Sequence, residues 1–334
     1  IKVNSDEKVK YPNDFVKKVL APMAAQKGDY LPVSTFMPDG SFPTGTSQFE
    51  KRGIAVKVPY WISENCIQCN QCAFVCLYAV IRLYLLTEEE AKNAPKDMPV
   101  LKAIGKGLEN YKYKIQISLL DCTGCGSCAD VCPAKTKALE MKPLEEMAEI
   151  EIPRYEYLHS LPVRDNLMDK FTVKGSQFTQ PLFEFSGACA GCGETPYIKI
   201  ATQLFGDRMV IANATGCSSI YGGSAPVSPY TKNCKGYGPA WANSLFEDNA
   251  EYGLGMALGY GQRRKKLASV ALELTKADGI SSNMKELLAK WVEHGMDAAA
   301  SMELSEKIKS ILPTELDKAS GKAKELLTFI NEDN

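Results

Sequence analysis

Three features that would assign a protein to a familiar class are missing from these 334 residues. The formal net charge is −1, so no basic field indicates a nucleic-acid partner. The longest apolar stretch, residues 78–86, is short and interrupted by Arg82, so no membrane span is predicted. No secretory signal is visible. We therefore expect a cytoplasmic protein with no nucleic-acid or membrane partner. Because the first residue is Ile1, we expect a portion of a longer polypeptide.

Cysteine, by contrast, is abundant, with twelve residues. Dense disulfide frameworks belong mainly to small secreted proteins that cannot build a sufficient core. This chain is 45% hydrophobic, and ten of its cysteines lie within four residues of another cysteine. Both observations favour metal ligation over disulfides.

The chain divides into three predicted segments. Residues 1–45, rich in Pro, Gly, Ser and Asp, are predicted to be a connecting segment with a short helix near residues 13–20. Residues 46–162 contain an internal repeat, in which β-rich runs at 55–61 and 113–120 each lead into four cysteines. Each cysteine of the second run lies 56 positions after its counterpart in the first.

Two further stretches carry helix or strand signals. Residues 87–108 are predicted to be an insertion that begins with a helix at 88–92. From residue 163 to 334, a predicted strand at 209–212 lies among Gly-rich turns and helical stretches, which indicates an α/β arrangement. Beyond residue 262, apolar residues at helical spacing predict a core-facing stripe; they are Met284, Leu287, Leu288, Trp291 and Val292.

Both cysteine runs follow the spacing C-x2-C-x2-C-x3-C, which is typical of cubane iron–sulfur clusters. Three closely spaced thiolates wrap one cluster, and in two-cluster proteins the fourth cysteine ligates the other cluster. The predicted ligand sets are Cys66, Cys69, Cys72 and Cys132 for one [4Fe–4S] cluster, and Cys122, Cys125, Cys128 and Cys76 for the other. Zinc is the alternative, but zinc sites rarely use three cysteines in succession at this spacing. Pro133 fits the ferredoxin pattern, whereas Leu77 stands where proline is usual in the first run.

A second group of cysteines follows downstream, at Cys189, Cys192, Cys217 and Cys234. The first two form a Gly-rich C-x2-C loop, SGACAGCGE, and Cys217 follows the predicted strand at 209–212. A third cluster, a zinc site and inert buried thiols are all compatible with this spacing. Cys234 has no cysteine nearby in the sequence and is compatible with a free thiol.

The run from residue 185 to 260 contains SGACAGCGET, NATGCSSIYGG and GYGPAWANSLFEDNAEYGLGMALGYG. With the two cysteine runs upstream, it resembles the pyruvate:ferredoxin (flavodoxin) oxidoreductases, and the resemblance covers nearly the whole chain. It implies an α+β ferredoxin-like domain with two clusters, followed by part of an α/β domain that binds thiamine diphosphate. It also implies a third [4Fe–4S] cluster held by Cys189, Cys192 and Cys217, and contacts of Glu194 and Cys217 with the thiamine cofactor. The resemblance places the fourth ligand of this third cluster beyond the chain.

The resemblance leaves two local questions open. Glu194 could contact the cofactor or could cap a helix beginning near Thr195. The aromatic, Gly-rich residues 236–246 could line the cofactor cavity or form a turn packed on a core by Trp241 and Phe246. The Gly-Asp-Gly segment that holds Mg²⁺ and the diphosphate in thiamine enzymes is not found, so we expect the Mg²⁺ ligands outside this chain.

The implied activity is the decarboxylation of pyruvate with CoA to acetyl-CoA and CO₂, with electrons passed through three clusters to ferredoxin or flavodoxin. We expect a homodimer that includes the remainder of the same enzyme. Two alternatives stay open: a related oxidoreductase for another 2-oxo acid, and a free-standing polyferredoxin that carries electrons for a different donor.

Iron and acid-labile sulfide analysis of anaerobically purified protein tests the metal assignment. Two cubanes correspond to about eight irons per chain, and a third cluster raises the value to about twelve. Stoichiometric zinc, or disulfides joining the paired runs, would contradict the prediction.

Overall fold

The computed structural model describes residues 14–332. The chain forms two compact units, one ending at Glu247 and one beginning at Asp248. The strands are β1 (Lys57–Trp61), β2 (Ile81–Leu86), β3 (Leu101–Lys102), β4 (Lys112–Ile117), β5 (Leu139–Pro143), β6 (Val210–Ala214) and β7 (Ala240–Ser244). The α-helices are α1 (Ala21–Ala24), α2 (Gln71–Phe74), α3 (Glu88–Lys92), α4 (Ser127–Asp130), α5 (Leu144–His159), α6 (Val173–Ser176), α7 (Thr195–Phe205), α8 (Cys217–Gly223), α9 (Asn249–Lys276), α10 (Ser282–Glu293), α11 (Ala298–Lys318) and α12 (Gly321–Glu332).

The predicted repeat is present in the larger unit. Strand β1, a cysteine loop, α2 and β2 form the first copy, and β4, a cysteine loop, α4 and β5 form the second. The copies are interlocked, because β1 pairs antiparallel with β5 and β2 pairs antiparallel with β4. Each copy therefore contributes one strand to each of two sheets, and this places the two cysteine loops side by side, with α2 contacting α4.

The core of this repeat is continuous with the first cysteine loop. Tyr113, on β4, is fully buried and packs edge-on against both Trp61 and Phe178, with ring centroids 6.3 and 6.4 Å away. Its hydroxyl donates to Asn70 Oδ1 at 2.8 Å. Sheet packing and loop geometry are thus connected through one aromatic side chain.

The inserted segment begins with the predicted helix. The side chain of Thr87 accepts from the backbone N–H of Glu90, and the Glu90 carboxylate accepts from the N–H of Thr87, which forms a capping box at the start of α3. Arg164 donates to Glu90 Oε1 and to the carbonyl of Leu85, both at 2.7 Å. The insertion is therefore fastened to the unit that it interrupts.

The other local predictions agree with the structure with small shifts. Residues 16–20 are π-helical and continue into α1; Asn13 lies outside the described residues. Strand β6 covers the predicted strand and pairs in parallel with β7, with Ile211 opposite Trp241. Parallel sheets are normally covered on both faces. The sheet of β6 and β7 departs from this rule, since Val210 on β6 is 40% exposed.

Four helices, α9 to α12, form the smaller unit. Its core includes Leu274 and Leu327, which are fully buried, and the predicted stripe on α10 faces that core through Met284 and Leu288. Helices α10 and α11 begin at capped residues, since Ser281 and Asp297 accept from backbone N–H groups of the first turn. Within residues 14–332 no helix has the length and apolar character that membrane crossing requires. The predicted boundaries near residues 45 and 162 stay predictions.

A buried ion pair attaches β2 to the segment that precedes the downstream cysteines. Arg82 and Glu184 form a salt bridge in which the two side chains are 11% and 5% exposed. We expect Glu184→Ala to destabilise the protein by about 3–5 kcal/mol, because it leaves a buried guanidinium uncompensated. Chemical denaturation of the cluster-loaded protein measures this loss.

Glu50→Ala is the matched control, since it breaks the more exposed pair between Arg52 and Glu50. Its expected cost is below about 1 kcal/mol. Equal losses in the free energy of unfolding of the two variants would show that burial of the Arg82–Glu184 pair does not increase its contribution to stability.

Candidate iron–sulfur and cofactor site

The eight cysteines of the two runs lie at the centre of the repeat, and their neighbours cross between copies. Burial raises the pKa of the Cys66 thiol, and charge on Cys69 and Cys132 raises it further. Cys132 belongs to the second run, so the structure brings it to the first loop. In the reverse sense, Cys76 of the first run adjoins Cys122 and is among the neighbours that raise the pKa of that thiol after burial, the largest cause.

Burial gives these thiols a strong resistance to ionisation. It raises the pKa of Cys72 and of Cys122 to about 12, and it also raises the pKa of Cys128. Thiolate, however, is the form that ligates metal. Metal binding here must therefore release protons and supply positive charge that offsets the burial of the sulfurs.

Backbone N–H groups point at several of the sulfurs. Gly124 N–H donates to Cys122 Sγ at 3.3 Å, and Gln68, the equivalent residue of the first copy, donates its N–H to Cys66. Ala138 N–H donates to Cys132 Sγ at 3.4 Å. Such donors favour the thiolate and stabilise negative charge on a bound cluster.

Left-handed backbone at matched positions creates these loops. Gly124 and Gly126 have φ of 71° and 81°, and Gln68 and Asn70, 56 positions earlier, have φ of 56° and 64°. Glycine adopts this conformation freely, whereas a residue with a Cβ is strained in it. The two copies therefore have the same fold but meet its backbone requirement differently.

Side-chain hydrogen bonds offset the strain in the first loop. The Gln68 amide donates to the carbonyl of Lys102 at 2.8 Å and accepts from the N–H of Ile104 at 2.9 Å. The Asn70 amide donates to the carbonyl of Lys174 at 2.9 Å and accepts from the Tyr113 hydroxyl. Both amides are buried and use an oxygen and a nitrogen, so they hold the loop against three other segments.

The cysteines are free thiols in the described part of the chain. All twelve cysteines lie in the described residues and none forms a disulfide. In that same part of the chain, no group of three or more Cys, His, Asp or Glu side chains could hold a metal ion. Zinc requires four donors within bonding distance of one ion, whereas the thiolates of a cubane each bind a different iron. The C-x2-C-x2-C-x3-C spacing of both runs is the feature that favours a cubane over zinc.

Tyr78 joins the repeat to the downstream cysteine loop. Its hydroxyl donates to the carbonyl of Ala188 at 2.7 Å, and its own carbonyl accepts from the N–H of Phe185 at 2.9 Å. Burial raises the pKa of Tyr78, and charge on Cys125 and Cys192 contributes in the same direction. One side chain therefore lies beside the second run and beside the Cys189–Cys192 loop.

The downstream loop is a tight turn that ends at a helix. Cys192 N–H donates to the carbonyl of Cys189 at 3.0 Å, with Gly191 at φ 77°. Burial of Cys192 opposes ionisation, but the N–H groups of Glu194 and Thr195 at the start of α7 outweigh it and lower the pKa of the thiol. Cys192 is thus prepared to act as a thiolate ligand.

Glu194 lies at the N-cap position of α7, but its side chain makes no capping hydrogen bond. Capping, one of the two predicted roles, is therefore not observed. Burial raises the pKa of both Tyr221 and Tyr230, and the Glu194 carboxylate adds to each shift. The Tyr221 hydroxyl adjoins the Glu194 carboxylate as a hydrogen-bond partner. Within residues 14–332, the buried Trp241 Nε1 has no hydrogen-bond partner. An unsatisfied buried donor of this kind is a group that a polar cofactor could satisfy.

Cys217 is placed at the first residue of α8 and is exposed. Helix α8 carries Tyr221, which lies near both Glu194 and Cys192. The structure thus brings helix α8, which begins at Cys217, near Cys192 through Tyr221. Cys234 is exposed and lies on a cavity of about 350 Å³ in the larger unit.

Sequence reasoning missed three residues that shape this site: Lys199, Tyr78 and Asn70. Asn70 could have been found, because it lies 56 positions before Gly126 and therefore inherits its backbone conformation. Lys199 contacts carbonyl groups more than one hundred residues away, and nothing in the local sequence indicates this.

Comparison with known proteins identifies parts of the chain. Residues 62–136, which include all eight cysteines of the two runs, match the 4Fe-4S dicluster domain. Residues 4–55 match the EKR domain, a domain of unknown function. The chain therefore contains a dicluster domain, as the cysteine spacing predicted.

Several curated proteins are similar along most of the chain. Pyruvate:ferredoxin oxidoreductase of Moorella thermoacetica is 56% identical over 95% of the chain. Pyruvate-flavodoxin oxidoreductase of Enterobacter agglomerans is 54% identical over 88%, and a pyruvate dehydrogenase [NADP(+)] of Cryptosporidium parvum is 49% identical over 91%. The matched region is 27%, 25% and 17% of these relatives. The chain thus spans about a quarter or less of the length of the relatives it matches.

The two glycines of the second loop offer a matched pair of substitutions. A Cβ at Gly124 would lie 2.7 Å from the carbonyl oxygen of Lys57, whereas a Cβ at Gly126 would meet no atom within 4 Å. We expect Gly126→Ala to cost about 1–2 kcal/mol from backbone conformation alone. Gly124→Ala should cost more and should lower the iron content, because β1 and the loop must separate. Thermal unfolding measures the loss of stability, and iron analysis measures the loss of clusters. A larger loss of stability and iron in Gly126→Ala than in Gly124→Ala would refute the close packing of the second loop against β1.

Proposed function

We propose that this chain, which is homologous over most of its length to part of the pyruvate:ferredoxin and pyruvate-flavodoxin oxidoreductases, forms the electron-transfer part of such an enzyme. The proposed reaction is the oxidative decarboxylation of pyruvate with CoA to acetyl-CoA and CO₂. The observation that carries the proposal is the contact of Tyr78 with both cysteine regions. A dicluster domain that adjoins a separate cysteine loop of the enzyme signature has the arrangement that such a reaction needs.

The proposed ligand sets agree with the neighbouring pairs of cysteines described above. Two [4Fe–4S] clusters that accept and pass on single electrons would be held by the crossed sets that the spacing predicts. The electrostatic influence of Cys132 on Cys66, and of Cys76 on Cys122, is consistent with the crossing. Cys189, Cys192 and Cys217 are proposed to hold a third cluster, with a fourth ligand outside this chain. The lowered pKa of Cys192 supports its role, and the exposure of Cys189 and Cys217 leaves both able to bind.

The contacts also support an order for the path. Tyr78 lies beside Cys125 and Cys192, so the set that includes Cys125 adjoins the downstream loop. The set that includes Cys66 is reached through Cys72, which adjoins Cys128. We therefore propose that electrons enter at Cys192, pass the set with Cys125, and leave from the set with Cys66 towards ferredoxin or flavodoxin.

Residues around Glu194 are proposed to form one wall of a thiamine diphosphate site in an α/β domain. This cofactor would supply the carbanion chemistry of decarboxylation. The Glu194 carboxylate can accept a hydrogen bond from the cofactor, and the unpaired Trp241 Nε1 offers a further donor. Cys217 at the start of α8 is proposed to contact it as well. Mg²⁺ would be held by residues outside this chain, and the active form is proposed to be a homodimer.

Two other functions compete with this proposal. A related oxidoreductase would act on a different 2-oxo acid, and assays with a series of these acids would identify it. A free-standing carrier would contain no thiamine, so thiamine analysis of the intact protein separates it from the enzyme. The buried groups around Glu194, which a simple carrier would not need, favour the enzyme.

Substitution of one downstream cysteine tests the proposal. In the full-length protein we expect Cys192→Ser to remove about four irons per chain, which is one cubane. Pyruvate-dependent reduction of ferredoxin should fall by at least about a hundredfold, because the path begins at this loop. Cys234→Ser is the control, since Cys234 is exposed and lies outside every proposed ligand set.

Iron analysis, electron paramagnetic resonance of the reduced protein and the ferredoxin assay are the three measurements. Unchanged iron and unchanged ferredoxin reduction in Cys192→Ser would refute the proposed third cluster. Failure of the wild-type protein, loaded with iron and thiamine diphosphate, to reduce ferredoxin or flavodoxin with pyruvate and CoA would refute the proposed reaction.

A further inference from the structure

A lysine ammonium is buried between the cysteine runs and α7. The Lys199 side chain projects from α7, and the residue is 1% exposed. Its Nζ donates to the carbonyls of Ala73 and of Phe74, the latter at 2.9 Å, and to Gln177 Oε1 at 3.3 Å. Ala73 and Phe74 form the end of α2 and lie between Cys72 and Cys76 in the sequence. Lys199 thus binds the short helix that connects a ligand of one predicted cluster to a ligand of the other.

The charge of Lys199 has no carboxylate to balance it. Within the described residues no salt bridge involves this side chain, and its charged neighbours are Cys76, Arg82 and Cys72. Arg82 is itself a cation, which is paired with Glu184. A buried ammonium surrounded only by carbonyl dipoles and a second cation is unfavourable unless a nearby anion compensates it. Burial indeed lowers the pKa of Lys199 to about 8.

A cluster bound through Cys72 or Cys76 would supply the anion that compensates the Lys199 ammonium. Cys72 and Cys76 are adjacent to the ammonium, and each belongs to a different predicted ligand set. A cluster bound by four thiolates carries net negative charge, which increases by one when an electron is added. The ammonium would therefore be stabilised by the loaded clusters and would in turn stabilise them, most strongly after reduction.

We propose that Lys199 is a positioning and tuning residue, whose buried ammonium holds α2 between the two clusters and raises their reduction potential. The inference rests on the proposed ligand sets and adds a role for a residue outside them. Both predicted sets are expected to be affected, since Cys72 and Cys76 are both charged neighbours of the ammonium. No proton or bond is exchanged in this role; the fixed charge alone favours the added electron.

The size of the effect follows from electrostatics. One unit charge about 10 Å from the added electron, at an effective dielectric constant of about 20, changes a one-electron equilibrium by roughly tenfold. A tenfold change corresponds to about 59 mV for one electron. Removal of the charge should therefore lower the ratio of reduced to oxidised cluster by about tenfold at the wild-type midpoint.

Two neutral variants separate charge from hydrogen bonding. Lys199→Gln retains a donor for the carbonyls of α2 but no charge, whereas Lys199→Met retains neither. In redox titrations of the intact, cluster-loaded protein, followed by electron paramagnetic resonance, we expect both variants to shift the midpoint to more negative potential. Lys232→Met, which removes an exposed cation from the same unit, is the control and should leave the midpoint unchanged.

The outcomes are distinguishable. A wild-type midpoint in Lys199→Gln with full iron content would overturn the proposal, because the residue would then act only as a hydrogen-bond donor. If Lys199→Gln loses iron, Lys199→Arg decides the question. Retained iron and a wild-type midpoint in Lys199→Arg support a requirement for positive charge at this position. Loss of iron in Lys199→Arg indicates a requirement for the shape of the lysine side chain and overturns the proposed role of its charge. Absence of iron from the wild-type protein would refute the proposed clusters and this role with them, whereas a wild-type midpoint in fully loaded Lys199→Gln would refute this role alone.

Discussion

Burial of thiol groups is the constraint on which the larger unit depends. Eight cysteines must lie close together, several of them out of contact with water, and burial raises the pKa of thiols such as Cys72 and Cys122 to about 12. Such groups become thiolates only where metal and directed N–H groups compensate the charge. The interlocked strands, the left-handed loop positions and the cation of Lys199 can all be understood as parts of that compensation.

The same constraint explains why the two cysteine regions form one compact unit. A charged centre that must exchange electrons needs a short, rigid separation from its neighbour. Tyr78 provides this connection through a hydroxyl bond to Ala188 and a backbone bond to Phe185. The buried pair of Arg82 and Glu184 fastens the same two segments, and the Arg82 guanidinium lies over the Phe185 ring. Neither contact involves a cysteine, yet both determine where the cysteines lie.

Local patterns predicted much of this arrangement. The 56-residue offset predicted matched elements, and α2 and α4 differ by that offset at both ends. The apolar spacing on α10 predicted its buried face through Met284 and Leu288. The contacts of Lys199 and Tyr78 were not predictable, since they join residues more than one hundred positions apart and depend on the packed fold. The role of Glu194 was left open by sequence, and only the structure removes its capping alternative.

The unequal loops of the repeat have an evolutionary consequence. In the second copy the turn depends on Gly124 and Gly126, so almost any change there introduces strain. In the first copy the turn depends on the amides of Gln68 and Asn70, whose partners lie in three distant segments. A change in any of those partners therefore affects the first copy, whereas the second copy does not depend on them. Two halves that began alike would therefore accept different mutations, and an exchange of loops between them would not be neutral.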